Sequence, residues 1–203
     1  MEIVCFDMEG TLTPEIWEQV AKNTGIEEFN KTTRDIPSYA ELMDFRLKVM
    51  AKHNIKLTDI QKAASELELL PGAEDFINRV RANFQVVILS DTFHEIAKPL
   101  MEKLGFPLLL CHNLDVSADG SVTAYNLRHE TAKKQAILGF QAMGYRCFAA
   151  GDSYNDIQMF DVAEKGFFIN SPEKIALSQP HIESFHNYKD LESAFIDNSL
   201  FVK

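Results

Sequence analysis

The segment Asp7-Met8-Glu9-Gly10-Thr11 carries two carboxylates separated by one residue, directly after the short apolar run EIVCF. A carboxylate can attack phosphorus and form an aspartyl phosphate, and a second acid can carry protons to the leaving oxygen and from the entering one. Gly10 permits a sharp turn, and the Thr11 hydroxyl can fix the loop. Two acids on a loop are also common as solvated turn residues, so this motif alone leaves both interpretations open.

A second group of acids lies late in the chain, in Gly151-Asp152-Ser153-Tyr154-Asn155-Asp156. Mg²⁺ takes oxygen ligands and keeps several of its waters, so a few convergent carboxylates are enough to hold it. The alternative interpretation is a helix N-cap formed by Asp152 or Ser153. This motif is therefore a candidate metal site only if it meets the first one in space.

Two further positions could hold a phosphate. Ser90 ends the apolar run QVVILS, and we expect the amides of Asp91 and Thr92 to open the next helix, where N–H donors suit an anion. Lys133 and Lys134 lie early in another predicted helix, where a cation opposes the helix dipole. One of them could reach a phosphate as a point charge, and helical geometry does not decide which. Ordinary capping and a solvated lysine remain the alternatives.

Apolar runs alternating with helical segments must position these residues. The runs at 2–7, 85–90 and 146–150 are continuous and short, which is typical of strands in a parallel sheet covered by helices on both faces. The sequence therefore predicts an α/β protein with a Rossmann-like three-layer core. Ligands bind beyond the carboxyl ends of such strands, where Asp7, Ser90 and Asp152 fall.

The segment 14–70 has helical periodicity and few strand formers, and Leu70-Pro71-Gly72 marks its end. Because it follows the first strand directly, we expect it to form a small helical cap over the site. The predicted division is an α/β core of residues 1–13 and 71–203 and a cap of residues 14–70.

Composition excludes several classes of protein. The chain has 203 residues, 46% hydrophobic and 25% charged, which is the balance of a globular protein. Its formal net charge of -10 disfavours nucleic acid and anionic membrane surfaces as partners. Its three cysteines and six histidines show no zinc-ligand spacing, and each histidine is predicted to be a surface or packing residue. No apolar stretch reaches membrane-spanning length, and we predict a cytoplasmic protein.

Taken in order, the four motifs resemble the series of the haloacid dehalogenase superfamily. That series has a nucleophilic Asp in a D-x-D-x-T-type loop, a Ser or Thr ending the next core strand, a Lys, and a late GDxxxD. Here the corresponding residues are Asp7 with Glu9, then Ser90, Lys133 and the segment 151–156. Family spacing favours Lys133 over Lys134.

Within that superfamily the whole chain is similar to phosphoserine phosphatases. The resemblance implies that Glu15 and Arg46, in the cap, hold the amino and carboxylate groups of a phosphorylated amino acid. It further implies that Asp7 is the nucleophile and Glu9 the general acid and base. Ser90, Asp91, Lys133 and Asn155 would bind the substrate or its phosphate. Mg²⁺ would be bound by Asp7, Asp152 and the Glu9 carbonyl, with Asp156 in its second coordination shell.

Two departures from the common pattern, Glu9 for Asp and Ser90-Asp91-Thr92 for a serine followed by paired glycines, resemble bifunctional phosphoserine phosphatase/homoserine phosphotransferases. The opening segment, TTRDIP at 32–37 and ILSDTF at 88–93 are also similar to that subgroup. The resemblance implies that the phosphoryl group on Asp7 passes to water or to homoserine. The alternatives are a plain phosphoserine phosphatase, a phosphatase for another small metabolite, and an inactive binding protein on the same scaffold.

Overall fold

The computed structural model of the chain describes residues 1–33, 35–36 and 38–202. Seven strands of these residues form one sheet: β1 (Glu2–Phe6), β2 (Gln85–Phe93), β3 (Leu108–Val116), β4 (Val122–Asn126), β5 (Arg146–Gly151), β6 (Lys165–Ile169) and β7 (Glu183–Phe185). Their order is β4-β3-β2-β1-β5-β6-β7, and every neighbouring pair is parallel except β3 and β4. The predicted α/β fold is confirmed.

Helices cover both faces of this sheet. They are α1 (Ile16–Thr24), α2 (Tyr39–His53), α3 (Leu57–Glu66), α4 (Ala73–Asn83), α5 (His94–Lys103), α6 (Ala132–Ala142), α7 (Ile157–Phe160), α8 (Glu173–Ser178) and α9 (Tyr188–Asn198), with 3₁₀ turns at Glu27–Asn30 and Tyr154–Asp156. Val4 and Phe6 enter one hydrophobic cluster, whereas Ile3 and Cys5 enter a second cluster on the opposite face. Because successive side chains of a strand point to opposite faces, a strand buried on both faces is built mainly of apolar residues, as residues 3–6 of β1 are.

Strand β2 is longer than predicted. It continues past Ser90 to Phe93, and α5 begins only at His94, so the expectation that the amides of Asp91 and Thr92 open that helix is wrong. The pairing of β2 with β3 shifts between Leu89 and Phe93. The fully buried Phe93 side chain keeps the chain extended beyond this irregularity, and Phe93 pairs again with His112. Ser90 and Asp91 therefore lie on a distorted segment of β2, at the carboxyl end of the parallel strands.

The segment 14–70 leaves the sheet after β1 and returns close to where it left. The Leu70 N–H donates to the Leu12 carbonyl at 2.9 Å, which brings its two ends together. The segment also contacts the β3–β4 hairpin, through an ion pair of 2.8 Å between Asp119 and Lys56, the residue before α3, and through the Tyr125 hydroxyl, which donates to the Ala40 carbonyl of α2 at 3.1 Å. Its identity as a separate cap remains a proposal.

Arg34 and Pro37 of the segment 32–37, and Lys203 at the end of the predicted core, lie outside the described residues.

None of the helices within the described ranges combines the length and the apolar character that crossing a bilayer requires.

Candidate active site

The loop after β1 holds Asp7 at the carboxyl edge of the sheet. The Asp7 N–H donates to the Ala150 carbonyl at 2.9 Å, so the loop begins as an extension of the β1–β5 pairing. The Asp7 Oδ1 accepts the Met8 N–H at 2.7 Å, which fixes the carboxylate. Gly10 has a φ of 76°, and a Cβ there would lie 2.5 Å from Oδ2 of Asp152. The two acidic motifs therefore meet, and a side chain at position 10 would separate them.

Three aspartates and one lysine form the floor of the site. Carboxylate oxygens of Asp7, Asp152 and Asp156 lie within 4.8 Å of one another, and all three residues are buried. The Lys133 Nζ lies 2.9 Å from Oδ1 of Asp7 and 2.7 Å from Oδ1 of Asp156. Burial acts to lower the pKa of Lys133, but Asp156, Asp7 and Asp91 together raise it well above its usual value. Lys133 is therefore a fixed cation beneath Asp7.

Lys134, the alternative to Lys133, lies half-buried on the rim of a neighbouring cavity and makes no ion pair with a described residue. The geometry thus favours Lys133 as the lysine of this site. Lys133 touches the carboxylates of Asp7 and Asp156 and does not line the small pocket above them.

The aspartate cluster fits a divalent cation. Burial, followed by the charge of Asp156, raises the pKa of Asp7 well above its usual value and that of Asp152 to about 7. Asp156 is already satisfied, because its Oδ2 accepts the amides of Asp152 and Ser153, each at 3.0 Å, and its Oδ1 faces Lys133. Three formal negative charges therefore surround a single lysine. Asp7 and Asp152 offer hard oxygen donors to a metal ion that would balance the remaining charge.

Glu9 lies beside this cluster, where the chain enters α1. Its Oε1 accepts the Ile16 N–H at 2.8 Å, so the carboxyl group is positioned by the first turn of that helix. Removal from water and the nearby charge of Glu15 raise the pKa of Glu9 to about 8. A carboxyl group of that pKa carries a proton at neutral pH and can donate it.

A pocket of about 100 Å³ lies above the cluster, and eight of the ten predicted site residues line it. These eight are Asp7, Glu9, Glu15, Arg46, Ser90, Asp91, Asp152 and Asn155. The other two, Lys133 and Asp156, lie behind its wall, where Lys133 contacts both Asp7 and Asp156. The sheet edge supplies the acids and Ser90, and the segment 14–70 supplies Glu15 and Arg46 on the opposite side.

Arg46 is held rigidly in this pocket. It is only 6% exposed, and its guanidinium carbon lies 4.4 Å from the centre of the Trp17 ring. Its Nη2 donates to the Lys31 carbonyl at 3.1 Å, whereas its Nε finds no partner among the described residues. Stacked in this way, the guanidinium can present a free edge to a ligand carboxylate.

Two residues that contact Asp91 were not predicted from the sequence. They are Tyr39 and His112. The Tyr39 hydroxyl donates to the Asp91 carbonyl, and the Nε2 of the buried His112 lies 3.5 Å from the Asp91 Oδ1. The Asp91 Oδ2 accepts from Nδ2 of Asn155 at 2.8 Å. His112 was expected on the surface or in ordinary packing. Its proximity to Asp91 depends on the register of β3 against β2, which the sequence does not reveal.

Burial acts to raise the pKa of Asp91, but Lys133, His112 and Asn155 lower it well below its usual range. Asp91 is therefore a fixed anion on the pocket wall. A carboxylate at this position repels phosphate oxygens and attracts a cationic group instead.

Comparison with known proteins places this chain in a family. Residues 1–163 match the haloacid dehalogenase-like hydrolases. The chain is 46% identical to phosphoserine phosphatase ThrH of Pseudomonas aeruginosa, over 98% of this chain and 97% of that protein. It is also 46% identical to a phosphoserine phosphatase of Pseudomonas syringae pv. tomato, over 98% of this chain and 84% of that protein.

Solved structures show the same fold. A phospho-aspartyl intermediate analogue of a phosphoserine phosphatase superposes with a TM-score of 0.78 at 20% identity, covering 95% of this chain and 98% of that one. A substrate-bound phosphoserine phosphatase also superposes with a TM-score of 0.78 at 20% identity, covering 100% of this chain and 98% of that one.

Proposed function

The chain belongs to the haloacid dehalogenase-like hydrolases, and from this we propose that it is a phosphoserine phosphatase that can also transfer the phosphoryl group to homoserine. The observation that carries the proposal is the convergence of Asp7, Lys133 and Asp152 beneath a pocket whose other side presents Glu15 and Arg46. Near full-length identity of 46% to a phosphoserine phosphatase supports the choice of substrate.

The first step places phosphorus on Asp7. A carboxylate oxygen of Asp7 attacks in line, the bond between phosphorus and the serine oxygen breaks, and Glu9 donates its proton to that leaving oxygen. Asp7, Asp152 and the backbone carbonyl of Glu9 would hold Mg²⁺, which when bound would offset the repulsion between Asp7 and the phosphate. Lys133 holds the Asp7 carboxylate in place from behind.

Donors on the sheet edge hold the phosphoryl oxygens. The Ser90 Oγ accepts the Thr92 N–H at 3.2 Å, which leaves the hydroxyl proton of Ser90 to donate to a phosphoryl oxygen. The Asn155 amide is oriented by Asp91 and by the Ser153 hydroxyl, so its second N–H is available to the substrate. We propose Asp91 as a residue on the amino-acid side of the pocket, because its charge repels phosphate.

Two opposite charges on the segment 14–70 match the zwitterion of the amino acid. Arg46 pairs with its carboxylate and Glu15 with its ammonium group. We propose that residues 14–70 act as a cap that excludes bulk water while the phosphoryl group is on Asp7. Glu9 then takes the proton of the incoming hydroxyl, from water or from homoserine.

A single reaction tests this function. The protein is incubated with L-phosphoserine and Mg²⁺, with and without L-homoserine, and both free phosphate and phosphohomoserine are quantified against a control containing EDTA. We expect metal-dependent phosphate release, and phosphohomoserine at the expense of phosphate when homoserine is present. Release of phosphate without phosphohomoserine would indicate a phosphoserine phosphatase that does not transfer the phosphoryl group to homoserine. Absence of any metal-dependent product would contradict the proposed substrate and favour another phosphorylated metabolite or an inactive protein.

A further inference from the structure

A second, larger cavity of about 790 Å³ adjoins the catalytic pocket, and the mechanism above does not use it. The two cavities share a wall formed by Thr33, Tyr39, Asp91, Ser153 and Asn155. The larger volume lies in the range of small-molecule binding sites. A compound bound there would be separated from the transferring phosphoryl group only by the side chains of this shared wall.

The larger cavity also reaches the nucleophile from below. Lys133 lines it, and the Lys133 Nζ lies 2.9 Å from Oδ1 of Asp7. This side of the cavity lies behind Asp7, so an acceptor that attacks phosphorus in line with Asp7 has to enter through the shared wall, into the pocket that Glu9 lines.

Charges of both signs surround this cavity. Lys134 and Lys174 line it, and neither forms an ion pair with a described residue. Asp91 and Glu130 supply negative charge on the same lining. Asp91 has taken one hydrogen bond from Asn155 and faces His112, so its remaining lone pairs can accept from an ammonium group. Such a lining is complementary to a small molecule that carries an ammonium and a carboxylate.

The catalytic pocket itself fits the acceptor poorly. Serine and homoserine differ by one methylene between Cα and the hydroxyl, which moves that oxygen by about 1.5 Å along the chain. Since Arg46 is fixed by Trp17 and by the Lys31 carbonyl, a homoserine held by the contacts proposed for serine would place its oxygen off the line of attack. A misplacement of about 1 Å can reduce a rate by about 100-fold.

We propose that the larger cavity binds the phosphoryl acceptor, a small zwitterionic amino acid with a primary hydroxyl, with Lys174 and Lys134 on its carboxylate and Asp91 on its ammonium group. The proposal rests on the function proposed above. The acceptor reaches across the shared wall, its hydroxyl oxygen forms a bond to phosphorus, the bond from phosphorus to Asp7 breaks, and the hydroxyl proton passes to Glu9.

The test compares the two reactions in the same variants of the full chain. Lys174→Gln and Lys134→Gln should each raise the KM for L-homoserine at least fivefold, while kcat and KM for phosphoserine hydrolysis without homoserine stay within twofold of the native values. Gln158→Trp, at an exposed position on the lining of the larger cavity, should block transfer by filling space and spare hydrolysis. Lys189→Gln, an exposed lysine on α9, is the matched control and should change neither reaction.

The outcomes separate this proposal from the proposed function. Normal hydrolysis and transfer with an unchanged homoserine KM in all three cavity variants would overturn the acceptor site. Parallel changes in the phosphoserine and homoserine constants would also overturn it, because they would place both amino acids in the catalytic pocket. A native protein that releases phosphate but never forms phosphohomoserine would overturn it as well. A native protein without phosphoserine turnover would instead contradict the proposed function.

Discussion

Arg46 and Glu15 give the pocket its two opposite charges on the side away from the nucleophile. Arg46 is buried, stacked on Trp17 and hydrogen-bonded to a backbone carbonyl, so its guanidinium loses little freedom when a ligand binds. A preorganised group of this kind contributes more to binding than a flexible surface cation does. We therefore propose that substrate choice depends on this side of the pocket, and that Asp7, Lys133 and Asp152 carry the chemistry.

We expect Arg46→Ala to reduce kcat/KM for phosphoserine by about 100-fold, because a hydrogen-bonded charged contact contributes about 3 kcal/mol. Cleavage of an aryl phosphate without an amino-acid group should fall by much less. Steady-state kinetics with both substrates measures the difference. Arg79→Ala is the matched control, since Arg79 is paired with Glu192 on the surface and should affect neither substrate. Equal losses on both substrates would contradict the role of Arg46.

Most of the pocket could be found from residue type and order. Asp7, Ser90 and Asp152 each follow an apolar run, and the ends of parallel strands meet at one edge of a sheet. Tyr39 and His112 could not be found in this way. Their contacts with Asp91 depend on the placement of α2 above the sheet and on the irregular β2–β3 pairing, which are tertiary features without a local signal.

The loop from β1 to α1 brings the two acidic motifs together. Its turn is closed by the Leu12 and Thr13 amides, which donate to the Met8 carbonyl at 2.8 and 2.9 Å. Gly10 adopts a positive φ and leaves room for the Asp152 carboxylate, which a Cβ at this position would meet at 2.5 Å. The geometry of the proposed metal ligands therefore depends on a residue that has no side chain.

Gly10→Ala should lower activity and raise the Mg²⁺ concentration needed for half-maximal rate by at least about tenfold, since the added methyl group displaces Asp152 from its place as a ligand. Gly25→Ala separates this effect from backbone strain. Gly25 has a similar φ of 72°, and an added Cβ meets nothing within 4 Å. That control should lose only about 1 kcal/mol of stability and keep its metal requirement. Equal metal requirements in the two variants would contradict the argument.

Secondary structure was predictable where an element is long or consists of an uninterrupted apolar run. The apolar runs at 2–7 and 146–150 correspond to β1 and β5, and Lys133 lies early in a helix, α6, as predicted. The extension of β2 to Phe93 was not predicted, because Asp91 interrupts the apolar run and aspartate is depleted in strands. Burial of Phe93 and its pairing with His112 decide the conformation there.

The chain carries a formal net charge of -10, although the proposed substrate is an anion. Within the site, Asp7, Asp152 and Asp156 face one lysine, so the folded chain carries unbalanced negative charge at the edge of its sheet. A bound cation stabilises such a fold by mass action. The cytoplasmic location inferred from composition stays a prediction.

We expect saturating Mg²⁺ to raise the melting temperature of the native protein by several degrees relative to EDTA. Asp152→Asn should show little or no such shift, because it lacks a carboxylate that the ion needs. In EDTA the variant should be at least as stable as the native protein, since one of three repelling charges has been removed. Thermal denaturation with both proteins checks this, and an equal Mg²⁺ shift in the two would exclude Asp152 as a ligand.

The most direct test of the account is to identify the phosphorylated residue. The native protein is mixed with phosphoserine and Mg²⁺, quenched with acid during turnover and analysed by mass spectrometry of the intact chain and its peptides. We predict one added phosphoryl group, located on the peptide that contains Asp7, and neither label nor turnover in a folded Asp7→Asn variant. Turnover that persists in Asp7→Asn, or a label on a different residue, would contradict the assignment of Asp7 as the nucleophile.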